Sequence, residues 1–111
     1  MRTHYIYCLK VEDELFYVGY TNRDLNKRLN EHIQQAINPN DTQLINEGIR
    51  GKIDDKRKII LAAIEEGFEL TIEPLLEKPI EEEIDEQYYI EHYSKKMKVK
   101  TNKINGFLFL K

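Results

Sequence analysis

Two short apolar runs, joined by a charged turn, constrain this chain more than any other feature. Tyr5-Ile6-Tyr7-Cys8-Leu9-Lys10 and Leu15-Phe16-Tyr17-Val18-Gly19-Tyr20-Thr21 are rich in β-branched and aromatic side chains, with Glu12-Asp13-Glu14 between them. That pattern reads as a β-hairpin. Alternation along a strand puts Tyr5, Tyr7 and Leu9 on one face and Ile6 and Cys8 on the other. Leu15, Tyr17 and Gly19 share a face of the second strand, so Tyr7 and Tyr17 project from one side of the sheet. A register that pairs the two tyrosines directly is compatible with this pattern.

The apolar period then changes to that of a helix. Leu25, Leu29, Ile33 and Ala36 or Ile37 form a stripe over a helix running from a cap near Asp24 to about Ile37. Arg28 and His32 lie one turn apart, flank the stripe and look toward the sheet. Residues 38–51 contain Asn38-Pro39-Asn40-Asp41, Gly48 and Gly51, and read as a long surface loop with room for a helical turn near Thr42 to Glu47. A second helix is expected from about Ile53 to Glu66, burying Ile53, Ile60, Ala63 and Ile64 and ending at Gly67. A third strand, Leu70 to Glu73, follows, with Pro74 marking an edge or a strand end. A third helix is expected from just after Pro79 to about Tyr93. The tail ends in Gly106-Phe107-Leu108-Phe109-Leu110, a short closing strand or packing arm.

A chain of 111 residues is one domain, 1–111, with a modest core. No apolar run approaches the roughly 18 to 20 residues of a membrane span, and Met1 to His4 lack the apolar run of a signal peptide. Cys8, the only cysteine, reads as a small buried hydrophobe, which suits a reducing, cytoplasmic setting. The net charge of −3 hides a segregation. Residues 61–93 carry 1 Lys/Arg against 11 Asp/Glu, whereas residues 94–111 carry 6 against none. Fields act locally, over about 8 Å at physiological salt, so this distribution matters more than the total. A basic cluster, Arg50, Lys52, Lys56, Arg57 and Lys58, is suited to phosphate contacts.

The layout resembles the GIY-YIG nuclease family. The first motif stands as Tyr5-Ile6-Tyr7, with tyrosine in place of the family's first glycine, and the second as Tyr17-Val18-Gly19. The spacing of Tyr7, Tyr17 and Arg28 is also similar to the family's. Glu86-Gln87-Tyr88-Tyr89-Ile90 resembles its metal-binding motif, with Glu86 in register and Glu82 and Glu83 as alternatives. Thr101 to Gly106 resembles its last motif in two competing registers. One uses Asn102, preferred for its distance from Glu86. The other follows the turn through Asn105 and Gly106 and finds Leu108 where the family has its asparagine.

The resemblance implies an α+β domain, a small three-stranded antiparallel sheet flanked by about three helices. It also implies an endonuclease cutting DNA with Mg²⁺ or Mn²⁺. Tyr7, Tyr17, Arg28, His32 and Asn102 would be catalytic and Glu86 the metal ligand. Lys10, Lys52, Lys56 and Lys58 would contact nucleic acid. Arg28 suits phosphate because a guanidinium binds two oxygens and stays charged. By resemblance Tyr7 is the general base. Ionising an ordinary phenol at pH 7 costs about 4 kcal/mol, a cost that Arg28, the metal, Lys10 or His32 would lower as nearby cations. With so little chain beyond the catalytic module, specificity is expected from residues 38–58, a second copy or a partner protein, and a phage or mobile-element source fits the format. The rival reading is a non-catalytic module of the same fold that binds nucleic acid or protein.

Overall fold

The hairpin forms where the alternating pattern puts it. In the computed structural model, which describes residues 2–95, β1 spans Thr3–Val11 and β2 spans Glu14–Thr21. Glu12 and Asp13 connect them with φ of 47° and 65°. Two consecutive left-handed residues give a tight turn the twist that paired strands need. The turn is tied to a neighbouring segment, since Glu12 N–H donates to the Glu69 carbonyl at 2.9 Å and Glu69 N–H donates to Glu12 Oε2 at 2.8 Å.

β3, Leu70–Pro79, pairs antiparallel with the other side of β1, giving the order β2-β1-β3. The most apolar strand is therefore central, and Ile6, Tyr7 and Cys8 have no exposed surface. The four helices among the described residues are α1 (Leu25–Ile37), α2 (Asp41–Arg50), α3 (Asp55–Glu66) and α4 (Glu86–Ser94). α1 and α3 cover the sheet face that carries Tyr7, Leu9 and Val11, contributing Ala36, Ile59, Ile60 and Ala63 to one core. α4 packs against β1 and β2. The α+β class and the three-stranded antiparallel sheet are as expected.

Two bulges set the register. Leu9 pairs with Tyr17 and Lys10 with Leu15, so Phe16 is an extra residue on β2. Such a bulge turns two successive side chains toward the same face, and both Phe16 and Tyr17 join the core. The hairpin pairs Tyr7 with Gly19 and not with Tyr17, so the two tyrosines are diagonal neighbours on one face. The second bulge lies between Ile6–Leu76 and Tyr7–Pro74, leaving Leu75 extra on β3. Pro74 does not end the strand, because an edge strand with a local irregularity has no need of its missing N–H.

Four local expectations are corrected. Residues 41–50 are a regular helix, not a surface loop. The Pro39-Asn40 break is its start signal, with the Asn40 side chain accepting from Gln43 N–H, and Gly51 closes it at φ 70°. The helix placed after Pro79 begins only at Glu86, capped by Asp85, because residues 76–79 are held extended by pairing with Thr3 to Ile6. Pairing thus lengthens β3 beyond the expected four residues. On α3 the buried positions are Ile59, Ile60 and Ala63, while Ile53 and Ile64 are exposed. The expected tail strand lies outside the described residues.

Candidate active site

Strand alternation, one glycine and one helix turn assemble a compact polar cluster against the sheet. Tyr7 projects from the centre of β1 and Tyr17 from β2, with ring centroids 6.2 Å apart. Gly19 is directly opposite Tyr7. A Cβ at position 19 would lie 2.6 Å from Tyr7 Oη and 2.8 Å from Tyr17 Cε2. The glycine of the second motif is therefore the space that both phenols fill. Asp24 caps α1 by accepting from Lys27 N–H, and the helix then delivers Arg28 and His32 from successive turns to the same spot.

The contacts are short and directional. Tyr7 Oη lies 2.7 Å from His32 Nε2, and Arg28 Nε donates to Tyr7 Oη at 3.2 Å. His32 is 1% exposed, and its pKa is pushed down to about 3, first by burial and then by the nearby Lys56 and Arg28 charges. The imidazole is accordingly neutral at pH 7, and in the tautomer with hydrogen on Nδ1 its Nε2 accepts the Tyr7 proton. That Nδ1 is buried and has no hydrogen bond among the described residues. His32 also lines a small cavity of about 10 Å³, together with Gln35, Gln43 and Lys56 among others.

Tyr7 departs from the behaviour expected of a phenol beside cations. Its pKa is pushed up to about 12. Burial is the main cause and outweighs the Arg28 hydrogen bond that lowers it, while the neighbouring Tyr17 raises it further. Two of the cations proposed to help are not positioned to do so. His32 is uncharged, and Lys10 is paired with Glu73 at 2.9 Å.

The other sequence-derived candidates fall in different places. Lys56, half-buried at the start of α3, holds its Nζ 4.7 Å from the centroid of the Tyr17 ring. It belongs to the cluster itself, beside the Tyr17 ring. Lys52 and Lys58 are exposed. Glu86 is exposed in the first turn of α4, and no hydrogen bond or ion pair joins it to Tyr7, Tyr17, Arg28 or His32 among the described residues. The alternatives Glu82 and Glu83 are exposed in the turn before it. Asn102 and Asn105 lie outside the described residues.

Two residues escaped the sequence reading. Glu31 pairs with Arg23 at 2.5 Å and approaches Arg28 at 3.6 Å. Arg23 sits just before the helix cap, where nothing in its local pattern separates it from any surface arginine. The i, i+3 spacing of Arg28 and Glu31 was the available signal for the other.

A buried phenol hydrogen-bonded to an imidazole and a guanidinium, carried by a hairpin and the helix that follows it, is the polar centre of this α+β scaffold. The GIY-YIG catalytic domain matches residues 3–105, and the chain belongs to that family, which is one of nucleases. No curated protein and no solved structure matches the chain. Among the described residues no helix is long and apolar enough to cross a membrane, and no group of three or more His, Cys, Asp or Glu is arranged to hold a metal ion. Glu86, the carboxylate that the resemblance puts forward as metal ligand, stands exposed at the start of α4 beside the equally exposed Glu82, Glu83 and Asp85. A lone exposed carboxylate is compatible with a divalent cation that keeps several of its waters and takes few protein ligands.

Proposed function

We propose that this domain is a divalent-metal-dependent endonuclease that hydrolyses DNA phosphodiester bonds at the Tyr7–His32–Arg28 cluster. The observation that carries this reading is the continuous hydrogen-bonded line from Arg28 Nε to Tyr7 Oη to His32 Nε2. It joins a permanently charged group for phosphate oxygens to a proton acceptor, with a phenol between them.

A water attacking phosphorus must lose a proton as its oxygen bonds. In this reading that proton goes to Tyr7 Oη while the Tyr7 proton passes to His32 Nε2. A standing phenolate is not needed, which agrees with a pKa of about 12. The free protein holds the relay off, since an imidazole of pKa about 3 is a poor acceptor at neutral pH. A phosphate beside Arg28 and Lys56 offsets the two positive charges that help to keep His32 neutral, and so raises its basicity. Burial, the larger cause of the low pKa, is relieved only as water enters the cluster. Tyr7 has no exposed surface, so Arg28 or Tyr17 must give way for water to reach it, and both are only half-buried. Arg28 then moves to the phosphate, where its charge is used. Glu86 would hold the metal, Mg²⁺ or Mn²⁺, which when bound would stabilise charge on the phosphate and the leaving oxygen.

The test is cleavage of supercoiled plasmid in Mg²⁺ or Mn²⁺ by wild type, Arg28→Ala, Glu86→Ala and Tyr7→Phe. Metal-dependent nicking or linearisation lost in all three variants is expected, with Tyr7→Phe retaining DNA binding. Absence of cleavage by wild type in either metal supports the non-catalytic binding module instead. Comparable loss of binding in Tyr7→Phe removes Tyr7 from the proton relay.

A further inference from the structure

Arg28 faces two ways. Its Nε donates to Tyr7, whereas its Nη1 points toward Glu31. On the Glu31 side lies an open groove of about 350 Å³, where β2 runs out into α1. Tyr20, Thr21, Asn22, Arg23, Arg28 and Glu31 line it. The Arg23 backbone is held by Thr21 Oγ1, which accepts from Arg23 N–H at 3.1 Å. Its guanidinium meets Glu31 Oε2, while the Arg23 side chain stays 63% exposed. Glu31 is the one anion between two arginines in this groove, and its Oε1 is buried with no hydrogen bond among the described residues.

We infer that this groove is a second phosphate subsite, in which Arg23 holds a phosphate flanking the scissile one and Glu31 occupies the arginines until nucleic acid arrives. The inference rests on the proposed nuclease reading and extends it by giving the substrate strand a direction, away from Tyr7 along the end of β2. Arginine makes the same paired hydrogen bonds to carboxylate and to phosphate, so a Glu31 carboxylate and a backbone phosphate compete for one geometry. The exchange begins at Arg23, the solvent-facing member of the pair, whose side chain is 63% exposed against 31% for Glu31. Glu31 also keeps the two guanidinium groups apart from other anions in the free protein. The two residues therefore act on binding with opposite signs. Removing Arg23 removes a phosphate contact, and neutralising Glu31 removes the competitor.

Binding of a fluorescein-labelled DNA duplex is measured by anisotropy against salt, without divalent metal, for wild type, Arg23→Gln, Arg23→Lys and Glu31→Gln. Each phosphate neutralised adds about 0.9 to the slope of log K against log salt for duplex and about 0.7 for a single strand. Arg23→Gln is expected to bind several-fold more weakly with a slope shallower by about that amount. Arg23→Lys should recover most of the slope, and Glu31→Gln should bind more tightly than wild type. A wild-type slope in Arg23→Gln, or weaker binding in Glu31→Gln, overturns the subsite while leaving plasmid cleavage and the nuclease reading intact. Wild type that neither binds nor cuts DNA overturns both.

Discussion

Replacing Gly19 by alanine tests the geometry of the cluster through a single methyl group. The new Cβ would sit 2.6 Å from Tyr7 Oη and 2.8 Å from Tyr17 Cε2, while ordinary contact begins near 3.4 Å. One side chain must therefore retreat by about 0.8 Å, working from those contact distances. Tyr7 is walled in on a central strand with no exposed surface, so its displacement is paid against the 2.7 Å hydrogen bond to His32. Overpacking a filled core costs about 1 to 3 kcal/mol, and a weakened buried hydrogen bond adds roughly 1 kcal/mol. Gly19→Ala should lose about 2 to 4 kcal/mol of stability in urea denaturation, and cleavage should fall by about 100-fold for a misplacement of this size. Gly48→Ala is the internal control. It lies inside α2 with nothing within 4 Å of an added Cβ, so alanine should stabilise by about 0.4 to 1 kcal/mol. If Gly19→Ala matched wild type in both stability and cleavage, the crowding at the paired phenols would not be what makes position 19 a glycine.

His32 makes stability pH-dependent in a defined direction. Its folded pKa of about 3 lies below the unfolded value of about 6.5, so the unfolded chain binds the extra proton between those values. Stability should therefore fall as pH drops through that window, by up to about 1.4 kcal/mol per pH unit from this residue. Urea titrations of wild type and His32→Gln at pH 7 and 5 check it, and parallel pH dependence in the two proteins counts against it. Lys56→Met removes one of the charges holding His32 down, so the His32 pKa read by NMR titration should rise, and an unchanged value would place Lys56 outside its field. Glu47 is buried against Arg57 at 2.8 Å and also accepts from Asp54 N–H. Glu47→Ala leaves that arginine with only the Ala36 carbonyl and no anion, and should cost about 3 kcal/mol in urea denaturation, with α2 losing amide-exchange protection first.

What the chain determines locally was legible before any coordinates. Period-two alternation put Tyr7 and Tyr17 on one face, and the 3.6 period put Arg28 and His32 one turn apart toward the sheet. The charged turn at Glu12 and Asp13 closed the hairpin. Resemblance to a family supplied the motif registers, and the family match confirmed membership. Residues 41–50 were misread because Asn, Pro and Gly announce both loops and the ends of helices, and the burial of Glu47 that anchors α2 comes from Arg57 and Asp54 on a different segment.

Only the tertiary structure decided the register of the sheet and the charge state of the site. The bulges at Phe16 and Leu75 depend on what the neighbouring strands and helices require, and no property of one strand specifies them. The same holds for the electrostatics. Lys56 belongs by sequence to a basic cluster suited to phosphate contacts, and only the packing of α3 shows that it lies over Tyr17. Proximity to cations suggested an acidic Tyr7, yet central burial pushes its pKa up to about 12. Local periodicity says which way a side chain points, whereas desolvation depends on everything packed around it. Charge state follows the second quantity, and that is why the residues that meet around Tyr7 could be named from the sequence while their protonation states could not.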